Sequence, residues 1–296
     1  MPDRLISATM ARTGVALYAA VSTGLVAEIQ QRHDLSPTAT AAVGRLVTGA
    51  VLLGANLKGA ERISLQISGD GPIGAISAEA WLLEDGTIGA RGYARNPHAE
   101  MPLNTRGKFD VAGVLGAGML QITKSYEIGQ PYAGVVPLRS GEIAEDLAAY
   151  LARSEQIPSV VALGVLANPA GVSAAGGAIA QVLPGTEESA ILQLEERALT
   201  MPPVTAQIAG GADADGLLRE LAGDVDLRAR RSLDVRFACR CTRAKVEAAL
   251  VGFGRDGLER MRTEREETAA TCEFCRRVYN FSGPEIADLI ERLEKR

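Results

Sequence analysis

The sequence predicts an α+β fold on three observations. Short runs with period-two apolar alternation recur along the first two thirds of the chain, among them Val15, Leu17, Ala19 and Ile63, Leu65, Ile67, the signature of strands with a buried face. Only a few helical patterns interrupt them, so the strands read as antiparallel neighbours rather than βαβ units. All four cysteines lie between positions 239 and 275, which sets a small C-terminal unit apart. At 296 residues two domains are the starting expectation. The predicted divisions are a sheet-and-helix core over 1–186, a helical linker over 187–233 and a cysteine-bearing domain over 234–296.

Residues 14–30 read as a strand and the start of a helix. Ser36-Pro37-Thr38 opens a long small-residue helix to about Lys58, with proline in its first turn. Residues 62–68 are a strand, Gly69-Asp70-Gly71-Pro72 a turn and 73–81 the returning strand, and 86–92 leads to a third. Gly116-Ala117-Gly118 precedes a strand over 119–124, not the helix that a dinucleotide fingerprint requires, and reads as a hairpin or bulge. Residues 132–138 continue the sheet. Ser140 caps a helix to Arg153 whose Ile143, Leu147, Tyr150 and Leu151 share a face. Residues 160–166 and 178–183 are strands around a loop over 171–177. Then come a helix over 187–199, the breakers Pro202, Pro203, Gly210 and Gly211, and a short helix over 215–221. So interrupted a segment does not form a domain alone. It reads as a helical linker between the core and the cysteine-bearing domain, with an ordinary rigid connector as the alternative. The chain ends in a helix entered through Ser282-Gly283-Pro284-Glu285, at capping-box spacing, with Ile286, Leu289, Ile290 and Leu293 as its stripe.

The cysteines come as Cys239-Arg240-Cys241 and Cys272-Glu273-Phe274-Cys275, with residues 242–271 between them. Four thiolates suit tetrahedral zinc and leave it no open position, and C-x-x-C is a familiar knuckle spacing. Residues two apart on a strand are about 6.6 Å apart, whereas Zn–S bonds of about 2.3 Å bring ligand sulfurs within ~4 Å. The chain must bend at Arg240 or the side chains lean together, which makes C-x-C the weak half. Three readings compete. Scattered buried cysteines are opposed by the pairing at both ends. Structural disulfides suit a secreted chain. A zinc ribbon that only holds a fold is the third. The chain opens MPDRLISATM, without the apolar run of a signal peptide, so a cytoplasmic location is expected, where thiols serve metal or redox chemistry. Arg236, Arg240, Arg243 and Lys245 crowd the first pair, and Arg276 and Arg277 follow the second. They either stabilise thiolates, the zinc-binding and oxidant-reactive form, or form a solvated face. The expectation is one zinc per chain on Cys239, Cys241, Cys272 and Cys275.

CRCTR (239–243), followed after the gap by CEFC (272–275) and VYNF (278–281), resembles the zinc domain of the redox-regulated heat-shock holdase chaperones, the thirty-three-kilodalton heat-shock protein family. SGDGP (68–72), RSEQIP (153–158) and AAGGAIAQVLP (174–184) resemble that family's core-domain landmarks, in the family's order. The resemblance covers essentially the whole chain. It implies an ATP-independent holdase, latent while reduced and zinc-bound. Peroxide-type oxidants would activate it by converting the thiolates to the disulfides Cys239–Cys241 and Cys272–Cys275, with zinc released. Unfolding client proteins are the implied partners, with a homodimer of the oxidised form. Neighbour disulfides do not replace the clamp that zinc makes between 239–241 and 272–275, so the small domain should unfold, and the linker expected to rest on it should loosen and expose apolar surface.

The alternative is an enzyme or nucleic-acid-associated protein with a structural zinc ribbon. A net charge of −5 and 4% aromatic residues argue against neutralising phosphates and stacking on bases. The sequence has no phosphate loop, nucleophile elbow or metalloprotease helix, and its carboxylates are dispersed. His33 and His98, the two histidines, read as surface polar residues. The apolar stretch 39–57 carries Arg45 and reads as a buried helix rather than a membrane span. Neither nucleic acid nor membrane is an expected partner.

Overall fold

The computed structural model describes residues 1–11 and 13–294; the last two residues of the predicted C-terminal domain lie outside them. The chain forms two compact units, Met1–Ala238 and Cys239–Arg296. The first holds β1 (Arg4–Met10), β2 (Val15–Val21), α1 (Thr23–His33), α2 (Pro37–Leu53), β3 (Arg62–Gly69), β4 (Ala75–Leu82), β5 (Ile88–Ala94), α3 (Val111–Leu115), β6 (Gly118–Ser125), β7 (Tyr132–Pro137), α4 (Ile143–Ser154), β8 (Ser159–Asn168), β9 (Gly171–Val182), α5 (Glu188–Thr200), α6 (Val204–Ala209), α7 (Ala214–Ala222) and β10 (Leu227–Phe237). The second holds α8 (Arg243–Val251), α9 (Gly254–Glu264), β11 (Glu267–Thr271), β12 (Val278–Ser282) and α10 (Gly283–Glu294). The class is α+β.

Ten strands of the first unit make one sheet in the order β7-β6-β3-β4-β5-β10-β1-β2-β9-β8. Its neighbours are antiparallel except β5 and β10. β10 joins the two halves: Arg4 faces Asp234 on one side, and Val235, Arg236 and Phe237 face Ile88, Gly89 and Ala90 on the other. The linker expected to be helical therefore holds three helices and then a strand. Arg228, Arg230 and Arg231 are exposed, so the first half of β10 shows no apolar alternation and main-chain pairing defines it; only Leu233, Val235 and Phe237 alternate toward the core. β1 also escapes the sequence pattern because both its faces are covered, Leu5 on one and Ile6, Ala8 and Met10 on the other.

One layer of helices covers each face. Toward α1, α2 and α4 the sheet buries Leu5, Ala20, Leu65 and Ile179. α2 starts where Ser36 Oγ accepts the Ala39 N–H at 3.1 Å, with Pro37 in its first turn, where a missing N–H costs nothing. The helix is apolar on all sides and buried within the unit, as a core helix should be. On the opposite face Leu194, Val204, Ile208, Leu217, Leu218 and Leu221 of α5, α6 and α7 join Val15, Leu17 and Ala178. Each such side chain contributes about 1.5–3 kcal/mol relative to exposure. The apolar partner of the linker is thus the core sheet rather than the cysteine-bearing domain.

Three local expectations change. The predicted loop over 171–177 is part of β9: a Cβ on Gly176 would stand 2.5 Å from the Ala20 carbonyl oxygen, so glycine there permits close strand packing. Ser140 does not cap α4. Asp146, buried, accepts the Arg139 and Ser140 N–H groups at 2.6 and 3.1 Å, and the helix starts at Ile143. His33 is buried at the end of α1, whereas His98 is exposed near Asp34.

Candidate metal centre

The second unit is small. Its core is Leu250, Leu258, Phe281, Ile286, Leu289 and Ile290, too little apolar surface to hold so short a chain firmly without a further staple. β11 and β12 form a hairpin that ends with Thr271 facing Val278. In the turn between them the Cys272 N–H donates to the Arg277 carbonyl and the Arg276 N–H to the Cys272 carbonyl, both at 2.9 Å. Arg276 sits at φ 60°, a left-handed position that closes the knuckle and brings Cys272 and Cys275 together. At the other end of the unit Thr242 Oγ accepts the Lys245 N–H to start α8, and Lys245 Nζ donates back to the Arg240 carbonyl at 2.8 Å. Residues 238–242 thus lie outside any strand or helix, between β10 and the capped start of α8. Arg243 of α8 lies 4.2 Å over the Phe281 ring and donates to Glu285 of α10 at 2.6 Å. The Ser282 N–H meets the same carboxylate at 2.9 Å, the predicted cap. These contacts tie both cysteine segments to one core.

The four sulfurs lie within 4.8 Å of one another. Cys239 and Cys272 are 3.8 Å apart and Cys241 and Cys275 3.4 Å, none of them joined in a disulfide. The Tyr279 hydroxyl donates to Cys241 Sγ at 3.2 Å. Burial pushes the Cys275 thiol up to about 12 and raises Cys272 as well. The nearby cations do not reverse this. Arg243 pairs with Glu285, and Lys245 reaches a carbonyl. Burial that opposes charge on Cys272 and Cys275 suits a metal site, where a cation neutralises the sulfurs, rather than a standing nucleophile. These four cysteines can hold a metal ion. Tyr279 is the polar contact that sequence reasoning did not single out; its only signal is its place in VYNF, two residues before buried Phe281.

The family model described as Hsp33 protein matches residues 3–282. This chain belongs to the Hsp33 family. Among curated members, the 33 kDa chaperonin of Geobacillus kaustophilus is 41% identical, with 100% of each chain covered. That of Desulfotalea psychrophila is 42% identical, with 92% of each covered. The crystal structure of the 33 kDa chaperonin (heat shock protein 33 homolog) of Thermotoga maritima superposes with a TM-score of 0.90 at 33% identity, covering 100% of both chains. Hsp33 proteins are chaperones and not enzymes, and the fold described above is the Hsp33 fold.

Proposed function

We propose that the chain is a redox-switched, ATP-independent holdase that protects unfolding proteins in the cytoplasm and takes one zinc per chain on Cys239, Cys241, Cys272 and Cys275. The observation that carries this is the meeting of two distant cysteine pairs within 4.8 Å. Tetrahedral Zn–S bonds of about 2.3 Å call for sulfurs roughly 3.8 Å apart, close to the 3.4 and 3.8 Å across the pairs. Bound there, zinc supplies a clamp that closes the 242–271 segment. By loop-closure reasoning such a link is worth about 3–4 kcal/mol.

Oxidation removes the clamp. Two thiolates give two electrons to hydrogen peroxide; its O–O bond breaks, the S–S bond forms, and two solvent protons complete two waters. Two such steps yield Cys239–Cys241 and Cys272–Cys275, each within one segment, so nothing then links the segments. The unit unfolds from Cys239 onward, two residues past the end of β10. With the unit beyond its end unfolded, β10 frays, and residues 187–233, which pack on the core sheet through α5, α6 and α7, loosen from that sheet and bare apolar surface to clients. An oxidised homodimer belongs to the same reading.

Zinc content and suppression of client aggregation, followed together during peroxide treatment, test this. Both should change in step. Serine at any one of the four cysteines should weaken metal binding. Aggregation suppression that is unchanged by oxidation, or full zinc retention in all four single variants, would overturn it.

A further inference from the structure

We propose that the outer edge of β8 is a docking slot that takes an extended client segment, apolar with an acidic flank, as an added strand. The inference rests on the chaperone reading and names where one kind of client contact is made. β8 ends the ten-stranded sheet and has only β9 beside it. Its phase is fixed by the bond from the Val182 N–H to the Pro158 carbonyl at 2.9 Å. In an antiparallel pair the bonding direction alternates, so Ala162 and Gly164 turn their main-chain groups toward β9 while Val161, Leu163 and Val165 turn theirs outward. Among the described residues none of these outward N–H and C=O groups has a partner.

Open edges are usually blunted by charge, proline or cover. The sequence of β8, SVVALGVLAN, contains neither a charged residue nor proline. The opposite edge, β7, is shorter and ends in Pro137. Instead of a cover, β8 has a groove of about 740 Å³ along residues 161–166, walled by Leu103, Phe109 and Glu142 on one side and Met201 and Val204 on the other. The walls belong to the two layers: Phe109 packs with the α2–α4 core, Met201 and Val204 with the α5–α7 core.

The occupant follows from this shape. Six residues of edge span ~20 Å, and their free groups match an extended backbone. Walls on both sides leave room for a single strand but oppose a second copy arriving with its own two helical layers. Arg45 is neutralised by Glu142. Arg106 and Lys108, which form no ion pair among the described residues, face only Glu145 on the groove, a net positive lining that favours an acidic flank. Because the edge and both its walls are in place with no cysteine joined in a disulfide, a short segment binds the reduced chain.

The test uses the full chain, reduced and oxidised. The probe is a fluorescein-labelled peptide of alternating valine and threonine with two aspartates at one end, and binding is read by anisotropy. N-methylation of alternate amides should weaken binding at least about tenfold, the loss of two or three main-chain hydrogen bonds. Lysines in place of the aspartates should also weaken it. Val161→Pro, at an outward N–H where no ladder bond is lost, should act like N-methylation. Equal binding by either control peptide overturns the proposal, and so does concentration-dependent dimerisation lost in Val161→Pro with no peptide bound. Oxidation-dependent aggregation suppression is measured alongside. If it persists while N-methylation has no effect, the edge is wrong and the chaperone reading stands. If it is missing, that reading fails.

Discussion

The hydroxyl of Tyr279 donates to the sulfur of Cys241 at 3.2 Å, and this bond raises the tyrosine's own pKa above 10.0 more than any other influence on it. Cys241 belongs to the C-x-C half, whose sulfurs need the sharper bend, so a donor that orients one of them steadies the weaker side of the cluster. Tyr279→Phe keeps the ring and removes the bond. Contacts of this outer kind typically change metal affinity 10–100-fold. Zinc should pass to a competing chelator about tenfold faster from the variant. An unchanged transfer rate would show that the bond does not hold the sulfur.

Cys241 and Cys275 stand 3.4 Å apart and Cys239 and Cys272 3.8 Å, yet the proposed disulfides join sequence neighbours. The distinction matters because a cross-linked pair would keep the two segments tied. Under mild peroxide Cys272–Cys275 should form first. Cys239–Cys241 closes a smaller, more strained ring and should require unfolding as well. Time-resolved mass mapping decides this. Early Cys239–Cys241 bonding at low temperature, or a Cys241–Cys275 bond in active protein, would contradict the order.

Hydrogen exchange should separate the switch from the scaffold. On oxidation, protection should fall in α5, α6 and α7 and throughout 239–294, while β3 and β6 remain protected. α6 has only six residues and is too short to persist without its sheet contacts. A linker equally protected in both redox states, alongside full aggregation suppression, would move the client surface wholly into the core.

Asp146 gives a pH test. Burial raises its pKa above 3.8 despite the Ser140 and Arg139 N–H bonds, and its Oδ2 has no partner. The folded chain therefore holds a proton that the unfolded chain releases. The stability this contributes is complete below 3.8 and is lost as pH rises through the folded value. Asp146→Asn retains an acceptor for the two N–H groups and removes the titration. In urea unfolding, wild type should lose stability relative to Asp146→Asn as pH rises toward neutrality. Asp146→Ala should cost about 1–3 kcal/mol by leaving buried N–H groups unbonded. A wild-type gain relative to Asp146→Asn over that range would reverse the argument.

The cysteine cluster was legible because metal chemistry needs one residue type at short spacings, and four thiols in two pairs have few other uses. β2, α2, β3 and α7 were legible because one physical pattern dominates each: alternation, a proline-entered apolar run, or a helical stripe. β10 was not. The arginines of its first half point to solvent, and its main-chain partners, β1 and β5, lie far away in the sequence, which a local pattern does not encode. The edge status of β8 was hidden for the same reason. α8 and α9 carry only Leu250, Gly257 and Leu258 as buried residues, too few to print a stripe. The partner of the linker was misread because an amphipathic face states that it will be covered, not by what.

The pairing of Arg4 with Asp234 across 230 positions gives the protein a history as well as a shape. On the ribosome, β1 emerges at the outset and β10 only when the first unit is almost complete. At ~5–20 residues per second, roughly 10–50 s of translation separate the two. Throughout that interval β5 and β1 each present a bare margin to the crowded interior, and the growing chain is itself in the condition of the proteins it will later protect. Release of a chain truncated before Leu227 makes that interval permanent; such a fragment should aggregate, whereas one ending after Ala238 should stay in solution.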